Sequence, residues 1–324
     1  MKVYRAADAP SGGLAGESVA VLGYGNLGRS AALNLRDSGA KVRIGNREDE
    51  YASLARTDGF EVVPLAEAAS DTMVYVLLPD EVIPSVFEEI APALRAGAAV
   101  AFGSGYCLAF DLIHPPAHVD VLLLAPRLAG RQARTRYQAG EGFWACIGVE
   151  RDHSGQGQRR LLALAESLGV LRAGAMEMTA KGEAALDLFV EQTVGALLGS
   201  AMLIAFDAGT SAGIPAEALV LEMYMSGEME GVFHSFREAG FLRASEEHGP
   251  TALFGGMTRT LELDREAIAT SFRTILEDIT SGGFARRFQD EARNGYPMLT
   301  MAKEMTRGSS PITDAEERLR RLME

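Results

Sequence analysis

The chain has 324 residues, 47% of them hydrophobic, with a net charge of −13 and an isoelectric point near 5.0. That length exceeds what one core usually supports, so two domains are expected, and the acidic balance argues against nucleic acid or an anionic membrane as partner. The two cysteines, Cys107 and Cys146, have no metal-ligand spacing, and Met1-Lys-Val-Tyr-Arg lacks an apolar secretion segment, so a cytoplasmic protein is expected.

Ser18 to Leu22 is an apolar run suited to a buried parallel strand, followed by a helix from Asn26 to Arg36 and a second strand from Lys41 to Gly45. Met73–Leu78, Ala98–Phe102, Val119–Leu124 and Ala145–Val149 continue the alternation of short strands with helical segments. This is the pattern of an α/β, Rossmann-like domain, assigned to residues 1–172. Past Leu171 the chain becomes rich in Ala, Leu, Glu and Met, with turns at Gly213–Pro215, His248–Pro250 and Gly282–Gly283. An all-helical second domain is expected over residues 173–324. Within it, the uncharged stretch Gln192 to Phe206 is shorter than the roughly 20 residues that cross a bilayer, and it reads as a core helix. The tail Ala315-Glu-Glu-Arg-Leu-Arg-Arg-Leu-Met reads as a short solvated helix.

The first strand runs into Gly23-Tyr24-Gly25-Asn26-Leu27-Gly28, a G-x-G-x-x-G turn opening a helix. The first glycine permits the tight turn, the second lets backbone approach a pyrophosphate, and the third lets helix pack on strand. Strand, turn and helix in sequence point to a bound dinucleotide. About twenty residues further on stands Asn46-Arg47-Glu48-Asp49-Glu50. An acid there holds ribose hydroxyls and an Arg holds a 2′-phosphate, so NADH and NADPH both remain open, the three acids leaning towards NADH. Arg47 alternatively stacks on adenine, and the whole loop alternatively is a solvated charged surface. Later strand ends carry Leu77-Leu78-Pro79-Asp80-Glu81 and Gly103-Ser104-Gly105, expected to flank the nicotinamide. Ala125-Pro126-Arg127, with Arg131, Arg134 and Arg136, forms a cationic cluster suited either to an anionic substrate or to local ion pairs.

Asp187 and Glu191 lie four residues apart in an otherwise apolar helical segment, so both project from one face. Carboxylates so placed need partners. Mg²⁺ is one, since it takes oxygen ligands; the other reading is a pair of surface acids.

Over nearly its whole length the chain resembles class I ketol-acid reductoisomerases. The likeness rests on Met1-Lys-Val-Tyr, Gly23-Tyr-Gly-Asn-Leu-Gly, Leu77-Leu-Pro-Asp-Glu-Val, Arg172-Ala-Gly, Asp187-Leu-Phe-Val-Glu-Gln, Ser281-Gly-Gly-Phe-Ala-Arg and Gly295-Tyr-Pro. The resemblance implies a Rossmann domain followed by a knotted helical domain, and a homodimer or higher homo-oligomer. It also implies an alkyl shift on a 2-acetohydroxy acid assisted by two Mg²⁺ ions, then reduction by NADPH. Asp187, Glu191 and Glu222 match three of the family's metal-binding acids.

The departures cluster at expected site positions. The fourth metal-binding acid falls on Ser226, and Glu228, six residues from Glu222, would point away from it on a regular helix. Ser104 stands for the family's His, Arg127 for its Lys, and Gly249 for its substrate-binding Ser. The expectation is an NAD(P)H-dependent reductase acting on another C=O, C=N or activated C=C small-molecule substrate, in specialised metabolism, with the isomerase step lost. Asp187, Glu191, Glu222, Ser104 and Arg127 are its candidate catalytic residues, the three acids retaining one Mg²⁺ at most. Gly23, Tyr24, Gly25, Asn26, Leu27, Gly28, Arg47, Leu78, Pro79 and Gly103 are its candidate cofactor residues. The alternatives are a divergent ketol-acid reductoisomerase of branched-chain amino-acid synthesis and a catalytically dead dinucleotide-binding protein.

Overall fold

The computed structural model describes residues 1–247 and 249–323; His248, at one of the expected turns, lies outside them. The chain divides into two compact units, Met1–Asp187 and Leu188–Glu324.

The first unit is built on a nine-stranded sheet: β1 (Val3–Tyr4), β2 (Ser18–Leu22), β3 (Lys41–Gly45), β4 (Val62–Val63), β5 (Met73–Val76), β6 (Ala99–Phe102), β7 (Asp120–Pro126), β8 (Trp144–Arg151) and β9 (Gly174–Glu177). The spatial order is β1-β9-β8-β7-β6-β5-β2-β3-β4. From β4 through β7 all neighbours are parallel. β8 then reverses against β7, so the doubly wound half ends there. Every residue of β5 and β6 is buried, as parallel strands covered on both faces require. Val21, Tyr75, Ala101 and Leu124 form the middle of the core beneath helix Asn26–Asp37 and helix Gly157–Ser167. β2 and β5 are neighbours although β3 and β4 intervene in sequence, which puts the topological switch point at their carboxyl ends.

β1, β4 and β9 were absent from the expected strands. β1 and β4 have two residues each, and β9 begins with a glycine at φ 140° and gains strand structure from pairing with β8 and β1. The division falls fifteen residues beyond the expected 172/173 boundary, because β9 joins the sheet and Ala180 and Glu183, at the start of helix Ala180–Val190, lie against Gly105 within the first unit.

The second unit contains helices Ala196–Ser211, Glu228–Ala239, Pro250–Glu262, Arg265–Thr280, Gly283–Arg293, Pro297–Arg307 and Pro311–Met323. A small core joins Phe206, Val220, Ala315 and Leu319. The tail is thus a docked amphipathic helix and not merely a solvated one. The Gln192–Phe206 reading is also corrected. This stretch belongs to one helical run, Ala180–Ser211, of 32 residues, long and apolar enough by composition to cross a membrane, and only 6% of its apolar window is buried. Leu197, Leu203 and Ile204 are about half or more exposed, so the segment is a surface of this chain.

Candidate functional site

The turn after β2 is shaped by its glycines. Gly23 has φ 92°, a left-handed conformation that other residues adopt only with strain. A Cβ on Gly28 would lie 2.1 Å from the carbonyl oxygen of Gly23, whereas one on Gly25 would meet nothing within 4 Å. The third glycine is therefore required by packing, and the second leaves open space at the N-terminus of helix Asn26–Asp37. That is where backbone N–H groups and the helix dipole attract phosphate. Gly130, whose Cβ would lie 2.4 Å from the carbonyl oxygen of Asn26, lets helix Gly130–Gln138 close against the same turn.

The turn opens into a cleft of about 540 Å³ lined by Gly23, Tyr24, Gly25, Asn26 and Leu27, then Arg47 and Asp49, then Leu78, Pro79, Asp80, Gly103 and Ser104. Its size falls within the range of small-molecule sites. Nine of the ten expected cofactor residues line it; Gly28 supports it from behind. Tyr24 takes part by its backbone, because its ring is buried and its hydroxyl donates to Asp58 Oδ2 at 2.9 Å. Burial and the Asp58 carboxylate hold that phenol well above its ordinary pKa.

At the end of β3, the Asp49 carboxylate accepts from the backbone N–H groups of Tyr51 and Ala52, capping helix Glu50–Thr57. It also accepts from Asn46 Nδ2 at 2.9 Å and from Arg47 Nε at 2.9 Å. The Arg47 guanidinium and the amide donors hold Asp49 below the usual carboxylate pKa. Arg47 is 84% exposed, so a strongly anionic, well-anchored position faces a loosely held cation.

At the other end, Ser104 Oγ donates to Asp80 Oδ2 at 3.4 Å and accepts from Tyr106 N–H at 3.1 Å. Burial pushes the Asp80 carboxyl up to about 7, with Glu183, Glu81 and Asp187 adding repulsion against the Ser104 hydrogen bond. Beside this pair lies a cluster that gives Ser104 and Arg127 different surroundings. Glu183, only 1% exposed, accepts from Gly105 N–H at 2.6 Å and from Arg127 Nη2 at 2.5 Å. Arg127 Nη1 donates to Asp187 Oδ1 at 2.7 Å. Gly105 is needed for the approach, since a Cβ there would lie 2.3 Å from the Ala180 carbonyl oxygen. Burial raises the Glu183 pKa while Arg127 opposes it.

Asp80 and Glu183 were not among the candidate site residues. Asp80 stood only as part of a strand end. Glu183 carried one available signal: it precedes Asp187 by four residues and shares its helix face. Of the expected cationic cluster, Arg127 joins these acids, Arg134 pairs with Asp37 and Arg136 with Glu141, so the last two make local ion pairs.

The three acids expected at a metal fall in different units: Asp187 in the first, Glu191 and Glu222 in the second. Glu191 and Glu222 are exposed and each sits in a π-helical turn, Glu191–Gly195 and Leu221–Met225. The regular helix assumed between Glu222 and Glu228 does not exist, because Gly227 turns left-handed at φ 84° and starts a new helix. Ser226 Oγ accepts from Glu228 N–H there. Gly249 precedes helix Pro250–Glu262 as its N-cap. Among the described residues no group of three or more His, Cys, Asp or Glu side chains is placed to hold a metal ion. Glu183 and Asp187 already share one cation, the Arg127 guanidinium, which stands where a divalent ion bridging these two acids would have to sit.

Residues 13–174 match the model for the acetohydroxy acid isomeroreductase NADPH-binding domain, and residues 181–324 match the model for the ketol-acid reductoisomerase C-terminal domain. A ketol-acid reductoisomerase (NADP(+)) of Caldivirga maquilingensis is 36% identical over 328 residues, covering 99% of this chain and 98% of that protein. One from Methanopyrus kandleri is also 36% identical, with the same coverage. The solved structure of an NADH-preferring ketol-acid reductoisomerase from an uncultured archaean superposes with a TM-score of 0.94 at 31% identity, covering 99% of both chains. A glycine-turn cleft followed in the chain by a helical unit, with one domain model matched over residues 13–174 and the other over residues 181–324, makes this chain a member of the ketol-acid reductoisomerase family.

Proposed function

We propose that this protein is a reductase that uses NADH or NADPH on a small-molecule substrate other than the usual 2-acetohydroxy acid. The observation that carries the reading is the cleft that runs from the phosphate-accepting turn at Gly25 to a proton-holding pair, Asp80 and Ser104. When bound, the dinucleotide supplies a hydride to the carbon of a C=O, C=N or activated C=C group. Asp80 holds a proton near neutral pH. In that protonated form the hydrogen bond to Ser104 reverses, so Ser104 gives its own hydroxyl proton to the atom that gains the electron pair and takes the Asp80 proton in its place. Asp80 regains its proton from water entering the cleft.

Charge favours one acceptor class. Glu183 and Asp187 outnumber Arg127, and Asp80 lies close enough to sense both acids. A C=N group that takes its proton from the Asp80–Ser104 pair becomes an iminium before hydride arrives, and its positive charge suits this surplus of carboxylates. The alkyl shift is a different demand, because it needs substrate oxygens polarised by two cations. Ser104, Arg127, Ser226 and Gly249 all depart from the residues that the family resemblance implies for that half of the reaction.

The second reading, a divergent enzyme that still isomerises, draws on the full-length match to proteins named ketol-acid reductoisomerase. Incubating the protein with NADH or NADPH and, separately, a cyclic imine, a 2-keto acid and 2-acetolactate with Mg²⁺ separates the two. Oxidation of the reduced cofactor by imine or keto acid alone is expected. Turnover of 2-acetolactate to the dihydroxy acid would sink the first reading, and cofactor binding without turnover of any substrate would favour a dead dinucleotide-binding protein. The protein is also proposed to assemble as a homodimer or larger homo-oligomer through its exposed apolar helices, in the cytoplasm.

A further inference from the structure

Glu183 is the most deeply buried acid beside the cleft, and its burial poses a chemical question: what cation accompanies it. In this chain the cation is covalently attached. Arg127 follows the carboxyl end of β7, where its backbone N–H donates to the Trp144 carbonyl at 2.8 Å. Its side chain then places Nη2 on Glu183 Oε1 and Nη1 on Asp187 Oδ1, while Nε donates to Ala125 O at 3.3 Å. The planar fork fits two carboxylates at once, a geometry that the single ammonium of a lysine does not reproduce. A guanidinium also stays charged at every accessible pH.

We infer that Arg127 is this protein's built-in replacement for a divalent cation, bridging Glu183 and Asp187 so that these acids do not take up a metal ion. A magnesium ion would need near-octahedral oxygen ligands at about 2.0–2.1 Å. Here the second oxygen of Glu183 is held by Gly105 N–H, so both Glu183 oxygens already accept short hydrogen bonds, and a cation approaching them would meet the guanidinium of Arg127 in the same place. Asp187, half exposed at 44%, keeps one oxygen outside these contacts, so a cation held there would not be bridged to Glu183. Displacing the guanidinium would also leave a buried charge without a partner. The inference stands on the contacts of Arg127 and is independent of which substrate is reduced.

Manganese(II) binding to the full-length protein tests it, read by the loss of the free-ion electron paramagnetic resonance signal at pH 8. The wild type is expected to take up no stoichiometric Mn²⁺ below about 1 mM, in the range of the weakest protein cation sites. Arg127→Ala and Arg127→Gln release both acids and are expected to bind one Mn²⁺ per chain at least about tenfold more tightly than the wild type. NADH titration of each variant verifies the fold, since the glycine turn does not touch Arg127. Tight Mn²⁺ binding by the wild type that Asp187→Asn abolishes would overturn the inference. So would the failure of both folded Arg127 variants to gain a site, because the guanidinium would then not be what occupies the acids.

Discussion

A Cβ atom on Gly28 would stand 2.1 Å from the backbone carbonyl oxygen of Gly23. No side-chain motion relieves that contact, because the obstructing atom is main chain. Gly28→Ala is therefore expected to push helix Asn26–Asp37 off β2, lower the melting temperature and weaken NADH binding by more than about tenfold, with a cost of several kcal/mol. Gly25→Ala is the contrasting case. Its Cβ enters open space, so stability should hold within about 0.5 kcal/mol while cofactor binding, read by fluorescence titration, is lost. Equal loss of stability in both variants would contradict the assignment of that space to phosphate.

Asp80 sets the expected pH dependence. Its folded pKa is raised from 3.8 to about 7, first by burial, so the native state holds this proton more tightly than the unfolded chain. Stability from this group is present at low pH and declines as pH rises from about 4 to 7. The rate of reduction should fall over the upper end of the same window, as Asp80 loses the proton it donates. Asp80→Asn should lower the rate, flatten the pH profile and raise the melting temperature at pH 8 relative to the wild type. A wild-type profile flat between pH 6 and 8 would remove Asp80 from the proton path.

Asp49 is expected to govern the choice between the two cofactors. Its carboxylate is anchored by two backbone donors, Asn46 and Arg47, and faces the cleft at the end of β3. A fixed negative charge there accepts from ribose hydroxyls and repels a 2′-phosphate. Asp49→Ser preserves a helix cap, worth about 1 kcal/mol, while deleting the charge. The ratio of NADPH to NADH dissociation constants should fall by about tenfold, the equivalent of roughly 1.4 kcal/mol. An unchanged ratio would assign discrimination to Arg47 or to the backbone.

The glycine turn and the strands beside it were readable because their information is local: Gly23 to Gly28 is contiguous, and β5 and β6 announce burial through uninterrupted apolar residues. The acid cluster was not. Glu183 takes its meaning from Gly105 and Arg127, 78 and 56 residues away, and nothing in its own neighbourhood records those contacts. The short strands failed for the same reason, since Val3–Tyr4 and Gly174–Glu177 are strands chiefly because they pair with each other and with β8. Glu222 and Glu228 illustrate a different limit: a single left-handed glycine between them invalidates any argument from helical periodicity.

The helical run Ala180–Ser211 raises the question of what covers its apolar residues. Leu197, Leu203 and Ile204 expose 48%, 55% and 68% of their surface in this chain, and Phe254, Met257 and Leu261 of helix Pro250–Glu262 expose 73%, 59% and 75%. Exposed apolar side chains are what an interface covers, and the occupant to test is the second copy of the chain proposed above. Sedimentation equilibrium should therefore give a dimer or larger species at micromolar concentration. Leu203→Glu combined with Ile204→Glu should shift it towards monomer, since burying two carboxylates in an apolar contact is costly. NADH binding should survive, because the cleft belongs to the Met1–Asp187 unit. A monomeric wild type that floats with lipid vesicles would instead assign the run to a membrane, and one that neither associates nor floats would show that these residues are simply solvated.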